Sequence, residues 1–200
     1  EMSDHLVLVE APLNDARTQA VIDHVKTIIA NKPIRFVINS HAHFDHSGGL
    51  RAAVAEGATI VTMAGNVPYF QRAFTTPNAL RPDRMAQAAK PARFQGVQGD
   101  KAELSDGTRT IELHKISGGP HSDTMLMAWL PKERLLIQAD AYTPLAPNTA
   151  PPATPNANNV NLIDNIERLK LPVERILPLH GRVVPVSELY ATASRPMPAR

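Results

Sequence analysis

Four ligand-type side chains fall within six residues, His41-Ala42-His43-Phe44-Asp45-His46, directly after the apolar run Phe36-Val37-Ile38-Asn39-Ser40. That concentration at the end of a predicted strand is too dense for packing residues, and it constrains the fold. Residues two apart on an extended chain point the same way, so His41 and His43 can grip one ion together. Asp45 and His46 follow where the chain turns into a helix and can face a second ion. Imidazole and carboxylate together suit zinc and similar borderline cations.

Three more residues of these types arrive downstream. His121 follows the corner Gly118-Gly119-Pro120, Asp140 ends the run Leu135-Leu136-Ile137-Gln138-Ala139, and His180 ends Ile176-Leu177-Pro178-Leu179. An ionised carboxylate at the end of a buried strand is costly unless paired or bound to metal. In open sheets covered by helices, sites collect at the carboxyl ends of strands. Strand ends that each finish in a ligand type are most economically explained by convergence on one centre.

The pattern along the chain supplies the strands. Residues 6 to 10 read as a strand and residues 16 to 31 as an amphipathic helix, with Ala20, Val21, Val25, Ile28 and Ile29 at helical spacing before Pro33. Residues 34 to 39 form a buried strand, and this strand–helix–strand unit predicts parallel pairing. A helix opens at Ser47-Gly48-Gly49 and runs to about Ala55, followed by a strand over 58 to 62. Residues 64 to 92 read as helix and loop, punctuated by Pro68, Pro77, Pro82 and Pro91. From Val97 the period becomes that of strands, over 102 to 104, 109 to 116, 123 to 130 and 134 to 139. Ser105-Asp106-Gly107 and Pro131-Lys132-Glu133 read as hairpin turns. Residues 143 to 159 hold five prolines and no glycine, which predicts a stiff connection rather than an element. A helix over 161 to 169, a strand over 175 to 179 and a helix over 186 to 193 complete the chain, and 194 to 200 is expected to fray.

At 200 residues one domain is the default. The 21 basic and 19 acidic residues nearly cancel, and no Lys/Arg block predicts a nucleic-acid partner. No apolar run approaches 18 residues, so no membrane span is expected. Cysteine is absent, which removes thiolate ligands and a cysteine nucleophile together. The compartment stays open: cytoplasmic, or periplasmic or secreted if a leader has been removed.

In the order His41-x-His43-x-Asp45-His46, His121, Asp140, His180, the chain resembles the metallo-β-lactamase superfamily over nearly its whole length. The resemblance implies an α+β fold, an αββα sandwich, truncated at its N-terminus because strands that usually precede residues 6 to 10 are missing. A second copy of the chain completing the sheet is then a candidate partner. It also implies one metal on His41, His43 and His121 and another on Asp45, His46 and His180, with Asp140 bridging. Zinc is the expected metal, two ions, with manganese or iron as alternatives. True zinc β-lactamases usually carry cysteine or serine where Asp140 stands. The aspartate is similar to the glyoxalase II, lactonase and phosphodiesterase branches.

The expected function is hydrolysis of a small ester-like substrate, a lactone or thioester, by a hydroxide shared between two metals about 3.5–4 Å apart. Asp45 would orient the nucleophile and shuttle its proton. Tyr142, two residues beyond the bridge, would offer its hydroxyl to the substrate, with a packing role as the alternative. The alternatives for the whole chain are β-lactam hydrolysis, phosphodiester cleavage and a non-catalytic metal-binding module. His5, His24 and His114 read as solvated or locally bonded, and Asp123 as a partner of His121 or a turn residue.

Overall fold

The computed structural model describes residues 1–76, 80 and 82–198; Pro77, one of the predicted punctuation points, and the last two residues of the tail lie outside them. The chain divides into two compact units, one of residues 1–100 with 106–109 and one of residues 101–105 with 110–200. None of the described helices is long and apolar enough to cross a membrane.

The first unit is built on a wholly parallel sheet, in the order β1 (Leu6–Val9), β2 (Ile34–Ile38), β3 (Thr59–Met63), β4 (Arg93–Val97). Helix α1 (Asp15–Ile28) links β1 to β2, as the strand–helix–strand pattern predicts. Asn14 caps it by accepting from the Arg17 N–H at 2.9 Å, and Asp15 and Lys26 complement the helix dipole at its two ends. Its buried face runs through Thr18, Gln19 and Ile22, whereas Ile28 is 68% exposed. The helix stops three residues short of Asn31, because the chain must turn to bring Ile34 beside Leu6.

Where one helix was expected after the histidine run there are two, the single turn α2 (Phe44–Ser47) and α3 (Leu50–Glu56), broken at Gly48-Gly49. A 3-10 turn (Ala64–Asn66) leads into α4 (Val67–Thr75), and α5 (Arg84–Ala88) follows. Strand β4 lies in the stretch before Val97 that carried no predicted strand. Its interior Gln95-Gly96 gives no alternating apolar signal, and pairing with β3 rather than local propensity makes it a strand. Leu6, Ile22, Val37, Leu50, Val54, Ile60 and Phe70 form this unit's core.

The second unit carries six strands in the order β10 (Val184–Pro185), β9 (Arg175–Pro178), β8 (Leu135–Gln138), β7 (Leu126–Leu130), β6 (Thr110–Lys115), β5 (Lys101–Ser105). All neighbours pair antiparallel except β8 and β9, which α6 (Ala157–Arg168) connects as a crossover. Helix α6 begins a turn earlier than its apolar pattern suggests, since the Asn156 side chain caps it through the Asn158 N–H at 2.8 Å. Trp129, Leu136, Leu162, Ile163, Ile176 and Leu189, the last on α7 (Val186–Thr192), pack into one core. The proline-rich segment before α6 carries no regular element. The tail through Pro198 is likewise irregular, but Arg195 ties it back through its pairing with Asp164 at 2.5 Å.

Candidate metal centre

Each unit presents its own set of ligand-type side chains, and each set is held by buried polar bonds. In the first unit, β2 leads into the segment Asn39–His43, which bends at Ala42, and α2 presents Asp45 and His46. His41 and His46 are buried, with ring centroids 4.6 Å apart. The His41 Nε2 lies 2.9 Å from the His43 Nδ1, and the His46 Nε2 lies 3.3 Å from an Asp45 oxygen. Donors in a tetrahedral zinc shell stand about 3.3 Å apart, given bonds of about 2.0–2.1 Å. These spacings suit a shared cation, and Ser40 Oγ, 2.8 Å from the His41 Nδ1, leaves the Nε2 as the nitrogen for metal.

Glu10 secures this segment, and sequence reasoning passed over it as a strand end. It sits just beyond β1 in a left-handed conformation, φ 69°, and is buried. One oxygen accepts the Ser40 N–H at 2.9 Å and the other the Asn39 side-chain amide at 3.0 Å, which also reaches the His46 carbonyl at 3.3 Å. The criterion that singled out Asp140, a carboxylate ending an apolar run, would have found Glu10 as well.

Burial pushes the Glu10 carboxyl up to about 7, against the hydrogen bonds that favour its ionised form. The unfolded chain therefore gains by ionising first. The stabilising contribution is complete below about 4.5 and lost as pH rises through about 7. In metal-free protein, Glu10→Gln is expected to remove a pH-dependent stability loss of about 3 kcal/mol over that window. Urea unfolding of both proteins across that pH range measures the difference; parallel curves would contradict it.

In the second unit His121, Asp140 and His180 meet. The His121 Nε2 lies 2.9 Å from one Asp140 oxygen and the His180 Nε2 lies 3.1 Å from the other. Asp140 is in the left-handed region, φ 55°, with its side chain 13% exposed. Parallel pairing carries on past the strands through Leu179 N–H to the Gln138 carbonyl at 3.1 Å, which sets His180 beside Asp140. Both sets consist of residue types that could hold metal ions.

The model of the metallo-beta-lactamase superfamily matches residues 23–180. The chain belongs to that superfamily. Its two sheets and flanking helices match the metallo-beta-lactamase sandwich fold. Among solved structures it is similar to a metallo-beta-lactamase from Hirschia baltica, at 21% identity and TM-score 0.67, covering 98% of this chain and 84% of that one. A metallo-beta-lactamase from Pontibacter korlensis is similar at 16% identity and TM-score 0.69, covering 97% and 83%. The metallo-beta-lactamase FIM-1 from Pseudomonas aeruginosa, solved in a mono-zinc form, is similar at 20% identity and TM-score 0.66, covering 97% and 79%. No curated protein matches. Members of the superfamily are typically metal-dependent hydrolases, and this chain carries a His/Asp complement able to bind metal.

Among the remaining histidines of this superfamily member, His5 and His114 are buried beside Asp4 and Glu112, at 2.5 and 2.8 Å, and His24 is exposed. Asp123 is exposed. Tyr142, expected at the substrate, lies in the second unit's core, 1% exposed. Its hydroxyl is buried with no hydrogen-bond partner among the described residues, and burial pushes its pKa up to about 12. A role toward substrate would require this side chain to leave the core.

Proposed function

We propose that the protein is a dinuclear zinc-dependent hydrolase acting on a small ester-like substrate, a lactone, a thioester or a related acyl compound. His41, His43 and His121 would hold one ion, Asp45, His46 and His180 the other, with Asp140 shared between them. The observation that carries this reading is the Asp140 carboxylate, whose two oxygens each face a different imidazole. A carboxylate that only satisfied a neighbouring histidine would need one oxygen; one that serves two ions needs both. The donor set of imidazole and carboxylate, without thiolate, fits zinc and also manganese or iron.

Bound cations would acidify a water and polarise the bond under attack. Within the protein, Asp45 is the residue to hold or pass a proton: its carboxylate lies beside the His46 Nε2, and its side chain is 31% exposed. A cavity of about 370 Å³ in the second unit is lined by Asp140, Thr143, Leu145, Thr154, Asn156 and Asn159. Apart from Asp140 these are uncharged, and hydrogen-bonding side chains predominate, which suits a neutral acyl compound better than a phosphodiester.

The test is a zinc-loaded panel of lactones, thioesters, β-lactams and phosphodiesters, with metal content measured by mass spectrometry. Two equivalents of zinc and turnover of a lactone or thioester, abolished by a chelator and restored by zinc, are expected. Two equivalents without turnover would identify a non-catalytic metal-binding module. Fastest turnover on a β-lactam or a phosphodiester would replace the ester-like substrate class.

A further inference from the structure

We propose that two buried carboxamides, Gln138 and Asn165, are positioning residues that hold the turns carrying Asp140 and His121 in metal-binding geometry before any metal arrives. The inference rests on the metal-centre reading above and concerns only how the second unit prepares its ligands.

Neither turn is held by a sheet ladder. Asp140 follows the end of β8 in a left-handed conformation, which aspartate tolerates better than most non-glycine residues but which its neighbours must still hold in place. Gln138, 1% exposed, closes the turn around it: its Oε1 accepts the Tyr142 N–H at 3.0 Å and its Nε2 donates to the Tyr142 carbonyl at 2.7 Å. The side chain thus bonds both backbone groups of the residue two beyond Asp140, standing in for an absent strand.

Asn165 does the same for the His121 turn. From α6, and 2% exposed, it accepts the Ser117 N–H at 3.0 Å and donates to the Ser117 carbonyl at 3.0 Å. Asn161, one turn earlier, donates to the same carbonyl at 2.9 Å, and Arg168 donates to the Asn165 Oδ1 at 3.0 Å. With those donors in place the amide has only one satisfactory orientation. Just beyond the clamp, Gly118 takes φ 69°, so the chain reverses at once toward Pro120 and His121. Two carboxamides therefore each bond both the N–H and the C=O of one residue, and each chosen residue lies within four positions of a candidate ligand. A fold needing these amides only for burial would have no reason to spend both on ligand-bearing turns.

Outer partners of metal ligands are commonly worth about 10- to 100-fold in metal affinity. These act on the turn rather than on the ligand itself, so about tenfold is expected. The isosteric variants Asn165→Asp and Gln138→Glu keep the acceptor and lose the donor. Zinc affinity is measured by competition with a chromophoric chelator, at a temperature where circular dichroism shows each variant folded. The absorption spectrum of the cobalt-loaded proteins reports ligand geometry. Both variants are expected to bind about tenfold more weakly with altered cobalt spectra, while Ile22→Val, a core change in the first unit, leaves both readouts at wild-type values. If Asn165→Asp fails to fold, Asn161→Ala gives the milder form of the same test. Folded variants with wild-type affinity and spectra would overturn the positioning role. A wild-type protein that bound no metal would overturn the metal-centre reading itself.

Discussion

Asp140→Asn is expected to lower kcat/KM on the preferred ester-like substrate by about a thousandfold or more and to leave less than two equivalents of metal bound. The exchange is chosen over alanine because asparagine tolerates the left-handed backbone seen at Asp140, whereas alanine would add strain there. It replaces one carboxylate oxygen by an amide nitrogen that cannot ligate, so one of the two facing imidazoles loses its anionic partner. Charge stabilisation by a metal is worth several kcal/mol, and about 4 kcal/mol corresponds to about a thousandfold in rate. Steady-state kinetics at saturating zinc, with metal content and a melting curve beside them, measures the effect. Lost activity with a melting temperature close to wild type in the metal-free proteins is the expected pair. Activity within tenfold of wild type would remove Asp140 from the centre.

Gly48→Ala is expected to destabilise the protein by about 3 kcal/mol, the upper range for overpacking, or roughly 6–12 °C in melting temperature for a chain of this size. A Cβ on Gly48 would lie 2.2 Å from the Leu13 carbonyl oxygen and 2.7 Å from that of Phe44. Both are backbone atoms and cannot step aside as a side chain can. The neighbouring Gly49 is hemmed in similarly, with a Cβ 2.0 Å from the Thr18 hydroxyl and 2.7 Å from the Asn14 carbonyl. The pair lets the start of α1 press against the end of the ligand turn, where the Ala11 N–H bonds the His46 carbonyl at 3.1 Å and the Gly49 N–H bonds the Ala11 carbonyl at 2.9 Å. Loss of stability should therefore come with weaker metal binding. A Gly48→Ala protein that melts within 2 °C of wild type, by calorimetry, would contradict this account.

The elements most legible in the sequence are those whose local pattern and tertiary role agree. Strands β2 and β8 are short apolar runs ended by ligand types, and the hairpin turns between β5 and β6 and between β7 and β8 stand where Asp-Gly and Pro-Lys-Glu place them. Elements whose identity comes from a neighbour were less legible. Strand β4 owes its state to parallel pairing with β3, and the two-residue β10 to β9. The break between α2 and α3 follows from close approach by residues 11–18, which no helical periodicity encodes.

By itself the sequence determined the ligand types, their order and the strands they follow, because these depend on residue chemistry and on periodicity along the chain, and that order carried the resemblance to the superfamily. Tertiary structure alone decided that Glu10 is buried under the ligand segment, that each Asp140 oxygen faces its own imidazole, and that Tyr142 is closed into the core. It alone also decided that Asn165 reaches back 48 positions to Ser117. These are contacts between residues far apart in sequence. Packing and the need to satisfy every buried polar group select them, and local propensity carries no record of either.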